Sequence, residues 1–400
     1  MGKILQSLTP AYGGYSIARD DKVILIKGAI PGEVVDVEIQ EKKRDYSIGF
    51  VINVVEPSPD RVEPPCPVFG RCGGCQLQHI RYERQVAMKN EVLLDSLTRL
   101  GKIETDLGEP LSGAAWHYRR KAQFKVSKTG DIGFFRESSR DVIAFDECPL
   151  MNEEINRLLG RIRQECSVRN LSDIHVSAGD TPVALLKGNG YDLSSFEDFV
   201  AVGLTGIAYN DSITYGGAYT GFDLNGLRYT VSPWSFFQAH WELNKKVVQF
   251  IMERIGPLEG KHVLDLYAGA GNFSLPAAAL GAEVVAVEEN SYAVEDGKRN
   301  LELNGIKNCK IVKSSSEKYR FSKKFDAVIL DPPRPGLTSE AVKKIMDNPP
   351  DMIVYVSCNP ATLARDLKKL NEKYEVRSIH QIDFFPNTFH IESISFLSIR

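Results

Sequence analysis

The sequence lacks the features that mark membrane, secreted and strongly charged proteins. Across 400 residues no run of about 18 apolar residues occurs, so we expect no membrane-spanning helix. The first ten residues contain no long apolar segment, and we therefore expect no secretory leader. The formal net charge is only −3, which excludes a chain that binds polyanions over its whole surface. Any nucleic acid would have to bind to a local basic region.

Cysteine is also scarce, with seven residues in the whole chain. A chain of this length buries enough apolar surface to fold without disulfides, and an odd, modest cysteine count favours a reducing compartment. We therefore predict a cytoplasmic protein, with a monomer as the simplest state. In such a compartment, clustered cysteines are metal or cluster ligands before they are disulfides.

The length predicts two or three domains, and the sequence contains no fixed-period repeat. Residues 1–58 consist of short β-branched runs separated by glycine and proline turns, which predicts a small OB-like β-barrel. The proline-rich stretch "EPSPDRVEPPCP" indicates a linker. Residues 59–235 contain a helix ending at Gly101 and then alternating strand and turn patterns. We predict a mainly β central domain for this part.

Residues 236–400 have a different texture, because strand and helix patterns alternate from His262 onwards. Repeated βα units predict a doubly wound, mostly parallel sheet, and "ISFLSIR" predicts a final strand that is antiparallel. The predicted fold class is therefore α/β, with a Rossmann-like C-terminal domain behind two smaller domains.

The turn "DLYAGAGNFSL" indicates a nucleotide crevice. In open α/β sheets, ligands bind beyond the carboxyl ends of the strands, and Gly269 and Gly271 allow close backbone approach there. Glu288 ends the next strand and can accept hydrogen bonds from ribose hydroxyls. The third glycine of the dinucleotide motif is missing, because Ser274 stands in its place. This favours a single nucleoside such as S-adenosylmethionine, although the glycines alone would also suit an ordinary tight turn.

Two further strand ends carry reactive side chains. Asp331 opens "DPPRPGL", whose prolines stiffen the chain where a strand enters the crevice. Cys358 in "VSCNP" lies at the end of a strand and directly before a helix, where we expect thiolate character. Glu392 follows His390 in "FHIES" and is a candidate general base. Each of the three, taken alone, would also suit a structural role.

Four cysteines indicate a cluster site. The group consists of Cys66, Cys72, Cys75 and, far along the chain, Cys148. Four thiolates bind either zinc or an iron–sulfur cluster. Only one C-x2-C pair is present and Gly73-Gly74 lets the backbone wrap around sulfides, which favours a [4Fe–4S] cluster with a structural role. Cys166 and Cys309 lie outside every motif and are expected to be packing residues.

A basic and aromatic segment suggests where nucleic acid binds. Residues 116–140 contain seven Lys or Arg residues, with Arg119, Arg120 and Lys121 in a row and aromatic residues between the others. Basic groups bind phosphates while exposed aromatic rings stack on splayed bases, as in single-stranded RNA recognition. The alternative is an ordinary strand with its aromatic residues in the core.

On "DPPRPGL", "SCNPATLARD" and "HIES" together, the chain resembles the uracil-C5 RNA methyltransferases, in the branch that carries a TRAM domain and a [4Fe–4S] cluster. The resemblance implies S-adenosylmethionine as methyl donor, Cys358 as the nucleophile that adds to uracil C6, and Glu392 as the base. It also implies cofactor contacts from Gln238, Tyr267, Asn272, Glu288 and Asp331. Another such contact falls near Ser315, where we expect Asn or Asp.

The RNA substrate is left open between two classes. The TRAM and cluster architecture favours 23S ribosomal RNA, with a uridine in the tRNA T-loop as the alternative. Two other functions are compatible with parts of the sequence. A DNA cytosine-C5 methylase also uses a thiolate, but usually within a Pro-Cys motif, whereas Pro360 here follows Cys358. A non-catalytic RNA-binding iron–sulfur protein would use the barrel and the cluster only as a platform.

Overall fold

The computed structural model describes residues 2–192, 195–321 and 323–400. Its N-terminal domain is one six-stranded sheet of order β1-β5-β6-β4-β3-β2. The strands are β1 Lys3–Gln6, β2 Thr9–Ala11, β3 Tyr15–Arg19, β4 Val23–Lys27, β5 Val34–Lys42 and β6 Tyr46–Glu56. Alternating residues such as Ile24, Ile26, Val35 and Val37 form its core, as the β-branched runs predict.

Helix α1, Tyr82–Ser96, follows the cysteine-rich loop and continues into a π-helical turn, Leu97–Gly101. The predicted end of this helix at Gly101 is confirmed. The helix packs its apolar face, including Leu93, against the C-terminal domain. Strand β7, Leu107–Leu111, pairs in parallel with the edge of the C-terminal sheet. Both elements were expected in the central domain, but their apolar side chains pack on the later sheet.

The central domain is a mixed seven-stranded sheet of order β10-β9-β8-β11-β12-β13-β14. Its elements are β8 Lys121–Val126, β9 Ile132–Phe135, β10 Val142–Ala144, α2 Glu153–Glu165, β11 Leu171–Ala178, β12 Pro182–Gly188, α3 Phe196–Ala201, β13 Gly206–Tyr209 and β14 Ser212–Tyr215. Helix α2 packs on one face of the sheet, where Phe124, Ile155 and Leu159 form the core. The mainly β character predicted for this part is confirmed.

The C-terminal domain contains an eight-stranded sheet of order β19-β18-β17-β20-β21-β23-β22-β7. Before the sheet lie the hairpin β15 Thr220–Leu224 and β16 Leu227–Val231, and helix α4 Trp241–Ile255. The alternating part comprises β17 His262–Leu266, α5 Ser274–Ala279, β18 Glu283–Glu288, α6 Ser291–Leu303, β19 Cys309–Lys313, β20 Ala327–Leu330, α7 Ser339–Asp347, β21 Met352–Ser357, α8 Pro360–Leu370, β22 Tyr374–Ile382 and β23 Glu392–Ile399.

Strands β17 to β21 are parallel, and β23 runs antiparallel to both neighbours. The predicted doubly wound sheet and its antiparallel last strand are therefore confirmed. The hairpin β15–β16 contributes Phe222 and Tyr229 to the core of this domain, so its packing begins before the predicted boundary at residue 236. Among the described residues, no helix combines the length and apolar character needed to cross a bilayer.

Candidate active site

The carboxyl ends of four parallel strands open into one cavity of about 610 Å³. The chain leaves β17, β18, β20 and β21 at this edge, where the strand order reverses around β17. All seven residues that the resemblance implies for cofactor binding and catalysis line the cavity, namely Gln238, Tyr267, Asn272, Glu288, Asp331, Cys358 and Glu392. The volume is typical of a site for a small organic ligand.

The glycine turn after β17 is built for close backbone packing. Gly271 has φ +95°, and a Cβ at this position would lie 2.0 Å from the Leu275 side chain. Ser274, in place of the third glycine, is fully buried and donates a 2.5 Å hydrogen bond to Asp265. Burial raises the pKa of Asp265 to about 7. The turn is therefore braced by a buried side-chain pair.

Glu288 lies at the end of β18 with its carboxylate held by two backbone donors. The Gly269 N–H donates to one oxygen at 2.9 Å and the Asn290 N–H donates to the other at 2.7 Å. Each carboxylate oxygen has a second lone pair, so two hydroxyl donors of a ribose can still be accepted. Glu288 is thus fixed in orientation before any ligand binds.

Gln238 supplies a buried amide oxygen without a hydrogen-bond partner among the described residues. Its side chain is 7% exposed, and its Oε1 atom is buried with no hydrogen bond to any described residue. A buried amide oxygen is seldom left unpaired, because the lost hydrogen bond costs about 1–3 kcal/mol. Since Gln238 lines the cavity, an amine or hydroxyl donor of a ligand would satisfy it. The residues present therefore fit S-adenosylmethionine.

Residues that were not anticipated fix the remaining cofactor positions. Asn272 exchanges two hydrogen bonds with the buried Asn244 of α4, at 2.8 and 3.1 Å. The Tyr267 hydroxyl donates to Glu317 at 3.2 Å, and Glu317 also lines the cavity. The three serines at positions 314–316 also line the cavity, where an Asn or Asp was expected near Ser315. Neither Asn244 nor Glu317 lies in a motif. The one signal for Asn244 is its position among the buried residues of the apolar face of α4.

The strand register brings Cys358 and Glu392 together. In the antiparallel pair β21–β23, Ser357 is opposite Ser393. Cys358 follows Ser357 and Glu392 precedes Ser393, so the two side chains lie just beyond this last pair, where both line the cavity and lie within electrostatic range of each other. Asn359 caps α8 by accepting hydrogen bonds from the backbone N–H groups of Ala361 and Thr362. This cap fixes the backbone directly after Cys358.

Burial dominates the electrostatics of this pair. Desolvation, together with nearby Glu392 and Asp331, raises the pKa of the Cys358 thiol to about 11, although Arg334 lowers it. Burial and the two carboxyl groups therefore act against the thiolate character expected from the helix N-terminus. Desolvation also raises the pKa of Glu392 to about 8 and that of Asp331 to about 7.

The loop between β22 and β23, residues 383–391, carries Glu392 at its end and is held by α1. Lys89 is 2% exposed and donates to Asp383 at 2.7 Å and to the Phe385 carbonyl at 3.0 Å. Gln85, one turn earlier, exchanges hydrogen bonds with Asn387 at 3.0 and 2.9 Å. One face of α1 therefore positions the loop that leads to the candidate base.

A second cavity is lined by the four predicted cluster cysteines, Cys66, Cys72, Cys75 and Cys148. Apolar side chains including Phe134, Phe145 and Met151 form its wall, and the Gly74 N–H donates to the Cys72 sulfur at 3.4 Å. The Cys75 thiol lies within electrostatic range of the other three. Within the described part of the chain, no group of three or more His, Cys, Asp or Glu side chains has the arrangement of a metal-ion site.

The row of Arg119, Arg120 and Lys121 does not form one basic surface. Arg119 lines the cysteine cavity, and Lys121 donates to the Ser235 carbonyl at 2.8 Å with its Nζ 5.1 Å from the centre of the Phe237 ring. Burial lowers the pKa of Lys121 to about 8. These side chains therefore have different partners, and RNA binding by Arg119, Arg120 and Lys121 stays a prediction.

The chain is similar to known RNA methyltransferases. Residues 222–400 match the family model described as tRNA (Uracil-5-)-methyltransferase. An "uncharacterized RNA methyltransferase" of Aquifex aeolicus (strain VF5) is 35% identical over 97% of this chain and 96% of its own length. The 23S rRNA (uracil(1939)-C(5))-methyltransferase RlmD of Shewanella amazonensis (strain ATCC BAA-1098 / SB2B) is 33% identical over 94% of this chain and 91% of its own.

A solved structure extends the likeness to the whole fold. The crystal structure of the Pyrococcus abyssi tRNA (uracil-54, C5)-methyltransferase, in complex with S-adenosyl-L-homocysteine, superposes with a TM-score of 0.80. The two sequences are 26% identical, and the match covers 99% of this chain and 100% of the other.

Proposed function

Because the chain belongs to the RNA uracil-C5 methyltransferase family, we propose that it methylates uracil C5 through a covalent adduct between Cys358 and C6 of the base. The observation that supports this proposal is that Cys358 and Glu392 line one cavity, directly beyond the Ser357–Ser393 pair and within electrostatic range of each other. Uracil C5 is a weak nucleophile, and addition of sulfur to C6 makes C5 electron-rich. S-adenosylmethionine supplies the methyl group.

The two side chains have separate tasks in this mechanism. Cys358 bonds to C6, so that the C5–C6 double bond opens toward C5, and it leaves again when the double bond re-forms. Glu392 removes the C5 proton after methyl transfer, which allows that elimination. A buried carboxyl with a pKa of about 8 is well matched to proton transfer near neutral pH. The thiol must lose its proton before or during addition, because its own pKa is about 11.

Cofactor binding is assigned to the side of the cavity nearest the glycine turn. Glu288 accepts the ribose hydroxyls, while the unpaired amide oxygen of Gln238 and the side chains of Tyr267, Asn272 and Asp331 bind the rest of the molecule. Support comes from the convergence of these groups on one cavity and from the fixed orientation of Glu288. The binding energy available from one charge-assisted hydrogen bond is about 1.5–3 kcal/mol.

We propose 23S ribosomal RNA as the substrate. Support comes from relatives named as 23S rRNA methyltransferases that match this chain over nearly its whole length. The tRNA T-loop is the second candidate, since the structural neighbour is named as a tRNA enzyme. Labelled methyl donor, offered with unmodified 23S rRNA transcript, unmodified tRNA transcript or DNA, tests this directly. Incorporation into tRNA alone would overturn the ribosomal assignment, and incorporation into neither RNA would overturn the activity.

The N-terminal sheet and the cysteine cavity are assigned supporting roles. We propose that residues 1–58 are a TRAM-like module that contacts RNA, and that the four cysteines hold a structural [4Fe–4S] cluster. The apolar wall and the N–H donor to Cys72 suit such a group. Iron and sulfide analysis of anaerobically purified protein tests it. Cys72→Ser should lose both elements, whereas Cys166→Ser should retain them; zinc without sulfide would refute the cluster.

A further inference from the structure

An aromatic side chain of the N-terminal domain reaches the edge of the catalytic cavity. Tyr12 lies in the turn between β2 and β3 and is 41% exposed. Its ring meets Phe389 edge-on, with the ring centres 5.6 Å apart and the planes at 81°. The phenol also lies within electrostatic range of Arg334, Cys358 and Glu392. Tyr12 is therefore a neighbour of the catalytic pair although it is some 350 residues away in sequence.

The turn that carries Tyr12 is fitted to two other segments. Gly14 has φ +78°, and a Cβ there would lie 3.0 Å from the Gln76 side chain and 3.4 Å from that of Phe389. Gln76 in turn accepts a hydrogen bond from the Phe389 N–H at 3.4 Å. The turn between β2 and β3, the cysteine-rich loop and loop 383–391 thus meet at one point. This junction holds Tyr12 in place and leaves part of its ring open to solvent.

Other groups around Tyr12 complete a platform for a flat ligand. Phe389 and His390 are half-buried neighbours with ring centres 4.3 Å apart, and the exposed Arg334 lines the cavity within electrostatic range of Tyr12. Exposed aromatic rings and guanidinium groups stack on unpaired bases, and every base offers the flat face that such stacking needs. Loop 383–391 contributes nothing acidic here, because Asp383 is buried against Lys89.

We propose that Tyr12, Phe389 and Arg334 form a stacking subsite for the nucleobase adjacent to the target uridine in the RNA. The proposal rests on Cys358 receiving that uridine. A uridine that enters the cavity must leave its stack, which exposes the faces of the neighbouring bases to water. Tyr12 restores one stacking partner outside the cavity mouth. The N-terminal domain thereby contributes a substrate-binding residue next to the catalytic cavity.

The test separates RNA binding from catalysis. Tyr12→Ala should raise the KM for the unmodified RNA transcript that serves as substrate by about 5- to 150-fold, the range found for loss of one base-stacking ring. The KM for S-adenosylmethionine and kcat at saturating RNA should stay within about 2-fold, since no cofactor contact is removed. Tyr12→Phe should behave as wild type, because stacking needs the ring and not the hydroxyl. Tyr215→Ala, which removes a 47% exposed ring from β14 in the central domain, should also have no effect.

A direct contact gives the second readout. Ultraviolet irradiation of the wild-type enzyme trapped on 5-fluorouridine-containing transcript should yield a nucleotide crosslinked to a peptide that contains Tyr12. An unchanged RNA KM in Tyr12→Ala would overturn the subsite. So would a fall in kcat or in cofactor affinity with RNA KM intact, because Tyr12 would then only support loop 383–391. Failure of the covalent mechanism would give a different result from failure of the subsite: the wild-type protein would then methylate RNA without forming a Cys358 adduct.

Discussion

The buried ion pair between Lys89 and Asp383 gives the most quantitative prediction for this fold. Its side chains are 3% and 0% exposed, and it joins α1 to the first residue of loop 383–391. Lys89→Met keeps most of the side-chain volume but leaves Asp383 buried without its cation. Breaking a buried pair from one side costs about 3–5 kcal/mol. Since about 1 kcal/mol shifts the melting temperature of a domain of this size by about 2–4 °C, the expected loss is about 6–20 °C.

Two matched variants define what the loss means. Arg84→Met removes the partly exposed Arg84–Glu91 pair from the same helix and should cost less than about 1 kcal/mol. The double variant Lys89→Met/Asp383→Leu should recover most of the lost stability, because no unpaired charge is left in the interior. Thermal unfolding followed by circular dichroism measures these three variants and the single variant Asp383→Leu.

The reasoning fails under either of two outcomes. If Lys89→Met melts within about 2 °C of wild type, the pair is not a buried and coupled one. If the double variant is as unstable as the sum of its single variants, the cost arises from lost packing and not from the unpaired carboxylate. In a stable double variant kcat should still fall, because the loop that leads to Glu392 has lost one of its two anchors on α1 and keeps only the Gln85–Asn387 hydrogen bonds.

The remaining predictions concern the cavity. Glu392→Gln should lower kcat by about 10²- to 10⁴-fold, and the wild-type rise of the methylation rate with pH up to about 8, where Glu392 loses its proton, should disappear. The same variant should be more stable than wild type at pH 9 but not at pH 4, since the raised pKa of Glu392 means that folding opposes its ionisation above its unfolded pKa. Glu288→Ala should weaken S-adenosylhomocysteine binding about 10- to 150-fold, as measured by titration calorimetry. Glu283→Ala, at the exposed start of the same strand, should leave that affinity unchanged. If both variants bind S-adenosylhomocysteine equally well, Glu288 does not contact the cofactor. Gln238→Leu should weaken cofactor binding in the same titration but leave the melting temperature unchanged, because it removes a buried amide oxygen that has no hydrogen-bond partner among the described residues.

Sequence patterns predicted the elements of the C-terminal domain and the convergence of its site residues. The reason is physical: parallel strands end at one edge of a sheet, so residues placed directly after them, such as Glu288, Asp331 and Cys358, must meet. The antiparallel last strand added Glu392 to this group. Each of these inferences needed only local patterns and the topology that follows from repeated βα units.

Sequence patterns failed where the outcome depended on contacts across long separations. Lys89 and Tyr12 reach the catalytic pair from other parts of the chain, and neither belongs to a motif. The raised pKa of the Cys358 thiol was not foreseen either, because a local rule about helix N-termini omits burial and the two carboxyl groups that the fold brings beside the thiol. Arg119 and Lys121 are close in sequence, but Arg119 lines the cysteine cavity and Lys121 packs against Phe237, which no local pattern indicates.

The most direct test of the central claim is mass spectrometry of the enzyme incubated with S-adenosylmethionine and a 5-fluorouridine-containing transcript. Fluorine at C5 cannot be removed as a proton, so the covalent intermediate should accumulate. We predict one adduct per enzyme, located at Cys358, absent in Cys358→Ala and present in Cys309→Ala. Wild-type enzyme that methylates ordinary RNA but forms no bond through Cys358 on the fluorinated transcript would contradict the account.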